Sequence, residues 1–366
     1  MIKILHAADF HLDSPFDALP EEKAAERRRE QRELLKQIAD IAGREQVDAV
    51  LLAGDLLDSD KSYYETGEAL VQALAEIKAP VFIAPGNHDY YHSHSPWAAL
   101  KLPSNVHVFK TGTPEAVELT GKNAMVWGAA FTGNRSGSLL ADFPEITDRG
   151  KKLQLMVLHG QAGGTEEAYN PMSLQQIADT GLDYIALGHE HHYSGLKKAG
   201  DTYYAYAGCP EGRGFDEAGE CGVLIIEAEL GKVKERFVPL KGRQYHKLEV
   251  DLSDHADPIA AILKRLPRGT ERDIYRIMLT GEFDGGINEA AIAMHLEDRF
   301  YHLTVRDQTK IRRDIWAQAE EDSLRGLFLR KMRAKYETAD ETERENITWA
   351  IRYALGAMEQ GEQWRV

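Results

Sequence analysis

AVLLAGDLLD, residues 49–58, sets an apolar run, Ala49–Ala53, directly against Gly54 and two carboxylates, Asp55 and Asp58. A short, uninterrupted apolar run reads as a strand covered on both faces, as in a parallel sheet. The polar cluster then falls beyond the strand's carboxyl end, where open α/β sheets take their ligands. The same grammar recurs on both sides. Upstream, the run Ile2–Ala7 leads into Asp9-Phe10-His11, and downstream Val81–Ala84 leads into Gly86-Asn87-His88-Asp89. Helical patterns over roughly 21–42 and 65–77 separate these runs, which gives βαβ units.

From about 106 to 238 the runs are more strand-like: Val106–Phe109, Met125–Gly128, Leu153–His159, Tyr184–Leu187, Thr202–Ala207 and Val223–Ala228. They predict a second sheet layer. Two of them end in histidines, His159-Gly160 and Gly188-His189-Glu190-His191. Five strand ends thus deliver carboxylate, amide and imidazole groups. This set of nitrogen and oxygen donors is too large for one tetrahedral zinc and suggests two metal ions sharing a carboxylate, with Asp55 the natural bridge. The imidazole content disfavours magnesium and suits manganese, iron or zinc. One strand-end histidine is an ordinary structural residue; five clusters, in an order that lets them converge, are not.

The remaining composition bounds the rest. At 366 residues the chain is long enough for two or three domains, and 43% apolar residues supply their cores. A net charge of −15 excludes a general basic coat for nucleic acid but leaves room for a local groove. Ten of the fourteen histidines lie between His6 and His192, which places the chemistry in that part of the chain. No apolar run approaches the roughly 18 residues of a membrane span, no secretory signal opens the sequence, and two cysteines are too few for a disulfide framework. A cytoplasmic protein is expected, with Cys209 and Cys221 as buried free thiols.

Three zones follow: 1–240 with the strand-end clusters; 241–308, reading strand, helix, strand, helix, strand; and a helical 309–366. In the last zone Ile347, Ile351, Leu355 and Met358 share one helical face, expected to pack on Ile311, Ile315, Leu324, Leu327, Phe328 and Met332 or on another protein. The run Arg27-Arg28-Arg29 reads as a solvated helix face.

Asp-x-His, Gly-Asp-x-x-Asp, Gly-Asn-His-Asp, His-Gly and Gly-His-x-His, in this order over residues 1–192, resemble the motifs of the calcineurin-like metallophosphoesterases. Their arrangement is similar to the SbcD family of DNA-repair nucleases, and His6–Phe16 resembles its short YhaO-type branch. The resemblance implies an α/β fold, a two-layered β-sandwich flanked by helices. A small α/β capping domain for DNA recognition (241–308) and a helical C-terminal region (309–366) follow it.

By the same resemblance, Asp9, His11, Asp55 and His191 hold one metal, and Asp55, Asn87, His159 and His189 the other. Mn2+ is the favoured ion, with Fe2+ or Zn2+ as alternatives. His88 is implied to face the phosphate and protonate the leaving oxygen, with Asp58 orienting its ring. Arg213, in the glycine-rich loop 208–222, is a candidate contact for a DNA phosphate, and Tyr90 for stacking on a base. The implied activity is metal-dependent DNA exo- or endonuclease cleavage beside an SbcC-like coiled-coil ATPase, with pairing into a homodimer through helices of the phosphoesterase domain. The alternative is hydrolysis of small-molecule or protein phosphoesters, which the same ligand set serves.

Overall fold

The computed structural model describes residues 1–59, 61–164, 168–283, 285–310 and 313–362. The chain divides into two compact units, Met1–Gln244 and Tyr245–Val366.

The first unit starts β1 (Ile2–Ala7), α1 (Glu21–Glu45), β2 (Ala49–Leu52), α2 (Tyr64–Glu76), β3 (Val81–Ile83), α3 (Pro96–Ala99) and β4 (Val106–Val108). It continues β5 (Glu115–Glu118), β6 (Ala124–Gly128), β7 (Leu153–His159), β8 (Gln161–Ala162), β9 (Pro171–Met172), α4 (Leu174–Asp179) and β10 (Tyr184–Gly188). The strands β11 (Lys197–Ala199), β12 (Thr202–Tyr206), β13 (Gly222–Glu229) and β14 (Lys232–Pro239) complete it.

One six-stranded sheet runs β14-β13-β1-β2-β3-β4 and the other β11-β12-β10-β7-β6-β5. The strands β1 to β4 are mutually parallel, as are β6, β7, β10 and β12. Every residue of β2, β3, β7 and β10 is buried, as continuous apolar runs require when both faces are covered. Ile4, Leu51 and Phe82 of the first sheet share a core with Val126, Leu155, Val157 and Ala186 of the second. On the first sheet's outer face α1 and α2 bury Leu34, Leu35, Ile38, Leu70 and Leu74, and α4 covers the second sheet with Ile177. The result is the expected sandwich flanked by helices, except that Val106–Val108 and Val223–Ala228, read as strands of the second layer, pair with β3 and β1 and extend the first sheet. All five polar clusters lie beyond the same ends of their strands.

The second unit contains β15 (Tyr245–Asp251), α5 (Pro258–Arg265), β16 (Ile274–Thr280), α6 (Glu289–His295) and β17 (His302–Asp307), a parallel sheet in the order β15-β16-β17. Two helices follow, α7 (Leu324–Thr338) and α8 (Glu341–Glu362). Ile351 and Leu355 of α8 are buried with Ile315, Ala319 and Leu329, while Ile347, Met358, Phe328 and Met332 pack against them. The apolar stripe is therefore covered within the chain. Leu324 and Leu327 stay exposed, and Ile311 lies outside the described residues. Buried Arg352 donates to Asp307 Oδ2 at 2.9 Å and to the Thr309 carbonyl, tying α8 to the end of β17.

Arg27 departs from the solvated reading. Its guanidinium is fully buried, bonded to Glu211 at 2.8 Å, to Glu30 and to the Gly212 carbonyl, and lies over the Phe16 ring. The sequence run hides this because only Arg27 of the three falls on the inward face of α1.

His6 is also buried on β1, between the Tyr184 hydroxyl at 2.9 Å and the Leu187 carbonyl at 3.1 Å. Burial holds its pKa down at about 3 against the ordinary 6.5. The folded chain thus refuses a proton that the unfolded chain accepts below pH 6.5. Stability is unaffected above that pH and falls as the pH drops toward 3. Between pH 7.5 and 4.5 the variant His6→Gln should lose about 2–3 kcal/mol less stability than the parent, at about 1.4 kcal/mol per pH unit of mismatch. Urea unfolding at the two pH values checks this.

Candidate active site

The ends of β1 and β2 are zipped by backbone hydrogen bonds, Asp9 N–H to the Gly54 carbonyl (3.0 Å), His11 N–H to Asp55 (2.9 Å) and Asp58 N–H to Leu12 (3.0 Å). Gly54 has φ +83°, and a Cβ there would lie 2.7 Å from His159 Nδ1 and 2.8 Å from Gly86 N. Only glycine lets three strand ends approach this closely. Asp9, His11, Asp55 and His189 also have positive φ, although none is glycine. They are four of the eight such residues described, so left-handed backbone concentrates here.

The side chains converge. Asp9, His11 and His191 place donor atoms within 4.8 Å of one another, and so do Asp9, Asp55 and His159. Asp55 Oδ2 lies 3.3 Å from His159 Nε2 and 3.8 Å from His11 Nε2, which puts this carboxylate between the two imidazoles. Asn87 Oδ1 is 3.0 Å from His159 Nε2. His189 stands further out, edge-on to His159 with ring centroids 5.3 Å apart. The main-chain N–H of His189 donates to both oxygens of Asp9, at 3.0 and 3.1 Å.

In three of the histidines the second ring nitrogen is anchored. His11 Nδ1 donates to Asp58 Oδ1 (2.9 Å), His159 Nδ1 to the Ala53 carbonyl (2.9 Å) and His191 Nδ1 to Glu217 (2.7 Å). With Nδ1 carrying the proton, each neutral ring turns a bare Nε2 lone pair inward. His11 Nε2 and His191 Nε2 are only 3.3 Å apart, and His159 Nε2 meets the oxygens of Asp55 and Asn87. Lone pairs gathered so closely repel unless a cation or a proton sits among them. The donor set therefore fits bound divalent metal.

In the bare residues a proton on His159 takes the place of that cation. Burial pushes the Asp9 carboxyl up to about 7, with His159 and His191 opposing it. Burial also opposes charge on His159, but the carboxylates of Asp55 and Asp9 outweigh it and raise its pKa to about 9. Burial would raise Asp55 too; the charge of His159 overcomes it and holds the carboxyl well below the usual range. His11 and His189 are driven down to about 4 by burial.

The Asp58 carboxylate serves a different histidine from the one expected. It bonds His11 Nδ1, the Ser14 hydroxyl and Arg213, whereas His88 Nδ1 donates to the Asp58 main-chain carbonyl at 2.9 Å. Zipping of Asp58 N–H to Leu12 turns its side chain toward the β1 end. His88 is exposed and lines a cleft of about 460 Å³ with Asn87, Asp58, Tyr90, Asn134, Arg135 and Tyr169. Tyr90 thus reaches the cleft, while its ring also packs on the core beneath the second sheet. Arg213 is not a free cation. Its guanidinium donates to Glu217 and Asp58 and lies 3.2 Å from His191 Nδ1, which makes it a brace within the site.

Three supporting residues are given no role by the sequence reading. Asp89 is fully buried and accepts N–H groups from Gly86 (2.7 Å), Leu56 (2.9 Å), Asp55 (3.2 Å) and Leu57 (3.3 Å). Glu217 is buried between His191 and Arg213, and the Asn170 side chain donates to the His159 carbonyl at 2.7 Å. Asp89 sits inside a quoted motif and so carried a signal. Glu217 and Asn170 carried none beyond their residue type.

Comparison with known proteins decides the family. The calcineurin-like phosphoesterase pattern matches residues 2–193, more than half of the chain. The chain belongs to the calcineurin-like phosphoesterases. Among curated relatives of this phosphoesterase chain is the uncharacterized metallophosphoesterase YhaO of Bacillus subtilis (strain 168). It is 29% identical over 265 residues, which are 69% of this chain and 64% of YhaO. The chain thus covers slightly less than two thirds of that relative. The D subunit of the nuclease SbcCD from the same organism is 25% identical over 273 residues, 63% of this chain and 67% of that protein. Solved structures that align include TT1561 of Thermus thermophilus (14% identity, TM-score 0.39, 64% of this chain and 98% of that one). A dimetal phosphatase from Danio rerio also aligns (13%, TM-score 0.43, 64% and 95%). The matched residues therefore form a calcineurin-like phosphoesterase domain.

Glu217 gives the site its sharpest test. Glu217→Gln keeps the shape and removes the charge that holds His191 Nδ1–H. Manganese affinity, read by titration calorimetry, should fall roughly 10–100-fold, the usual effect of losing a carboxylate behind a metal-binding histidine. An unchanged affinity would remove His191 from the metal site.

Proposed function

We propose that this protein is a metal-dependent DNA nuclease that hydrolyses phosphodiester bonds. The observation that carries the reading is His88, standing at the mouth of an open cleft beside the convergent ligand set, where a long substrate can lie across it. Similarity to the D subunit of the nuclease SbcCD supports DNA as the substrate class.

Asp9, His11, Asp55 and His191 would hold one divalent ion and Asp55, Asn87, His159 and His189 the other. When bound, these ions supply Lewis-acid polarisation of the phosphoryl oxygens and lower the pKa of the attacking water. The mixed imidazole, amide and carboxylate set suits manganese, iron or zinc, and manganese is the ion proposed from the family resemblance. The chain's own part is positional. Asp89 fixes both ligand loops, Asp58 and Glu217 lock two ligand rings, and the Ala53 carbonyl locks a third. His88 has its Nδ1–H committed to the Asp58 carbonyl, so Nε2 is the atom that, once protonated, gives a proton to the leaving oxygen.

His88→Ala should therefore retain bound manganese and lose roughly 10²–10⁴-fold in phosphodiester cleavage, the range for removal of a general acid. Asp55→Asn should lose both metal and activity. The substrate class is read by offering linear duplex DNA, single-stranded DNA, cyclic nucleotides and an aryl phosphodiester with manganese. Degradation of DNA is the expected result; turnover of the small esters with intact DNA would overturn the nuclease reading in favour of a small-molecule phosphoesterase.

The same reading assigns an SbcC-like coiled-coil ATPase as partner and the helical region as its dock. Leu324 and Tyr353 are 71% and 74% exposed, and Leu327 and Trp349 are also exposed, leaving apolar surface after the internal stripe is covered. Leu324→Glu with Leu327→Glu should abolish co-purification with such an ATPase while cleavage of short DNA persists. Unchanged binding would move the dock elsewhere.

A further inference from the structure

Cys209 and Cys221 flank the loop that carries Glu211, Arg213 and Glu217, and their sulfurs lie 3.7 Å apart. Cys209 is 1% exposed, but Cys221, expected to be buried, is half-buried, so one thiol is reachable from solvent and the other is sheltered behind it. The chain has no other cysteine, so neither thiol has a rival partner within it. Both are tied to surroundings that matter. Cys209 N–H donates to the His191 carbonyl at 2.9 Å, and the Cys221 carbonyl accepts from Leu240 N–H at 3.0 Å beside β13. Between them, Glu217 and Arg213 both contact the His191 ring.

We propose that Cys209 and Cys221 are a reversible oxidation site, converted by a hydroperoxide into an intramolecular disulfide that tightens the loop bracing His191. The Cys221 sulfur attacks the outer peroxide oxygen. The O–O bond breaks, the leaving oxygen departs as alcohol or water after taking a proton, and a sulfenic acid remains. The Cys209 sulfur then attacks the sulfenic sulfur, the S–O bond breaks, and hydroxide leaves as water with the second thiol proton. Two thiols are oxidised by two electrons and one peroxide is reduced. The sulfurs must close from 3.7 Å to about 2.0 Å, a movement within reach of side-chain rotation and a small loop shift. Because Cys209 is bonded to the backbone of His191 and the loop holds its ring, that shift is passed to a candidate metal ligand. A small-molecule dithiol reverses the reaction by exchange.

The test uses the full-length reduced protein, hydrogen peroxide and then dithiothreitol. Intact mass should drop by two hydrogens, both titratable thiols should vanish, and the chain should remain monomeric on a non-reducing gel. Dithiothreitol should restore the mass and both thiols. Cys221→Ser should show no such loss of mass. Oxidation should also weaken manganese binding roughly tenfold by calorimetry, reversed by dithiothreitol and absent in Cys221→Ser. Intermolecular dimers, or stable addition of oxygen without disulfide, would overturn the site. A complete disulfide with unchanged manganese affinity would overturn its connection to His191. Either result leaves the nuclease reading to its own substrate test.

Discussion

The carboxylate of Asp89 is the constraint on which the site's geometry rests. It is sealed from solvent and accepts four backbone N–H groups, three from the loop after β2 and one from the loop after β3. Those loops carry Asp55, Asn87 and His88, so one buried anion sets the distance between the carboxylate that lies between two imidazoles and the histidine proposed as acid. Four donors on one carboxylate also explain how such a polar group is tolerated inside the molecule, since a buried charge is stable only when its lone pairs are satisfied. The Trp97 indole N–H completes the arrangement by donating to the Asp89 carbonyl at 2.6 Å.

From that point the site is built outward in layers of decreasing rigidity. Parallel strands deliver the candidate ligands, backbone zippers hold the loops, and carboxylates or carbonyls fix the ring nitrogens that face away from the centre. Three of the histidines are thereby restricted to one tautomer before any ion arrives. Rigid, pre-oriented donors lose little conformational freedom on binding metal, which is the physical advantage of mounting a site on strand ends rather than on free loops.

Much of this was legible in the sequence, for a simple reason. Apolar runs such as Ala49–Ala53 and Leu153–Leu158 are unambiguous when both faces of a strand are buried, and the polar clusters sit immediately after them. Asp9, His11, Asp55, Asn87, His159 and His191 could be picked out because chemistry and strand position coincide. What escaped was whatever depends on which way a side chain turns. The resemblance pairs Asp58 with His88, yet the carboxylate reaches His11; it offers Arg213 to a DNA phosphate, yet the guanidinium is held by Glu217 and Asp58; the run Arg27-Arg28-Arg29 reads as a solvated face, yet Arg27 is in the core. These are contacts between residues far apart in sequence, and no local periodicity encodes them.

The left-handed backbone at Asp9, His11, Asp55 and His189 has a consequence for how this sequence can change. Each such residue costs roughly 1–3 kcal/mol that glycine would not incur, a sizeable part of the margin by which an ordinary domain stays folded. Selection for thermal robustness alone would therefore drift toward glycine at these four places and erase the chemistry first. Stability and function pull in opposite directions here, and the side chains that remain mark which of the two has been kept.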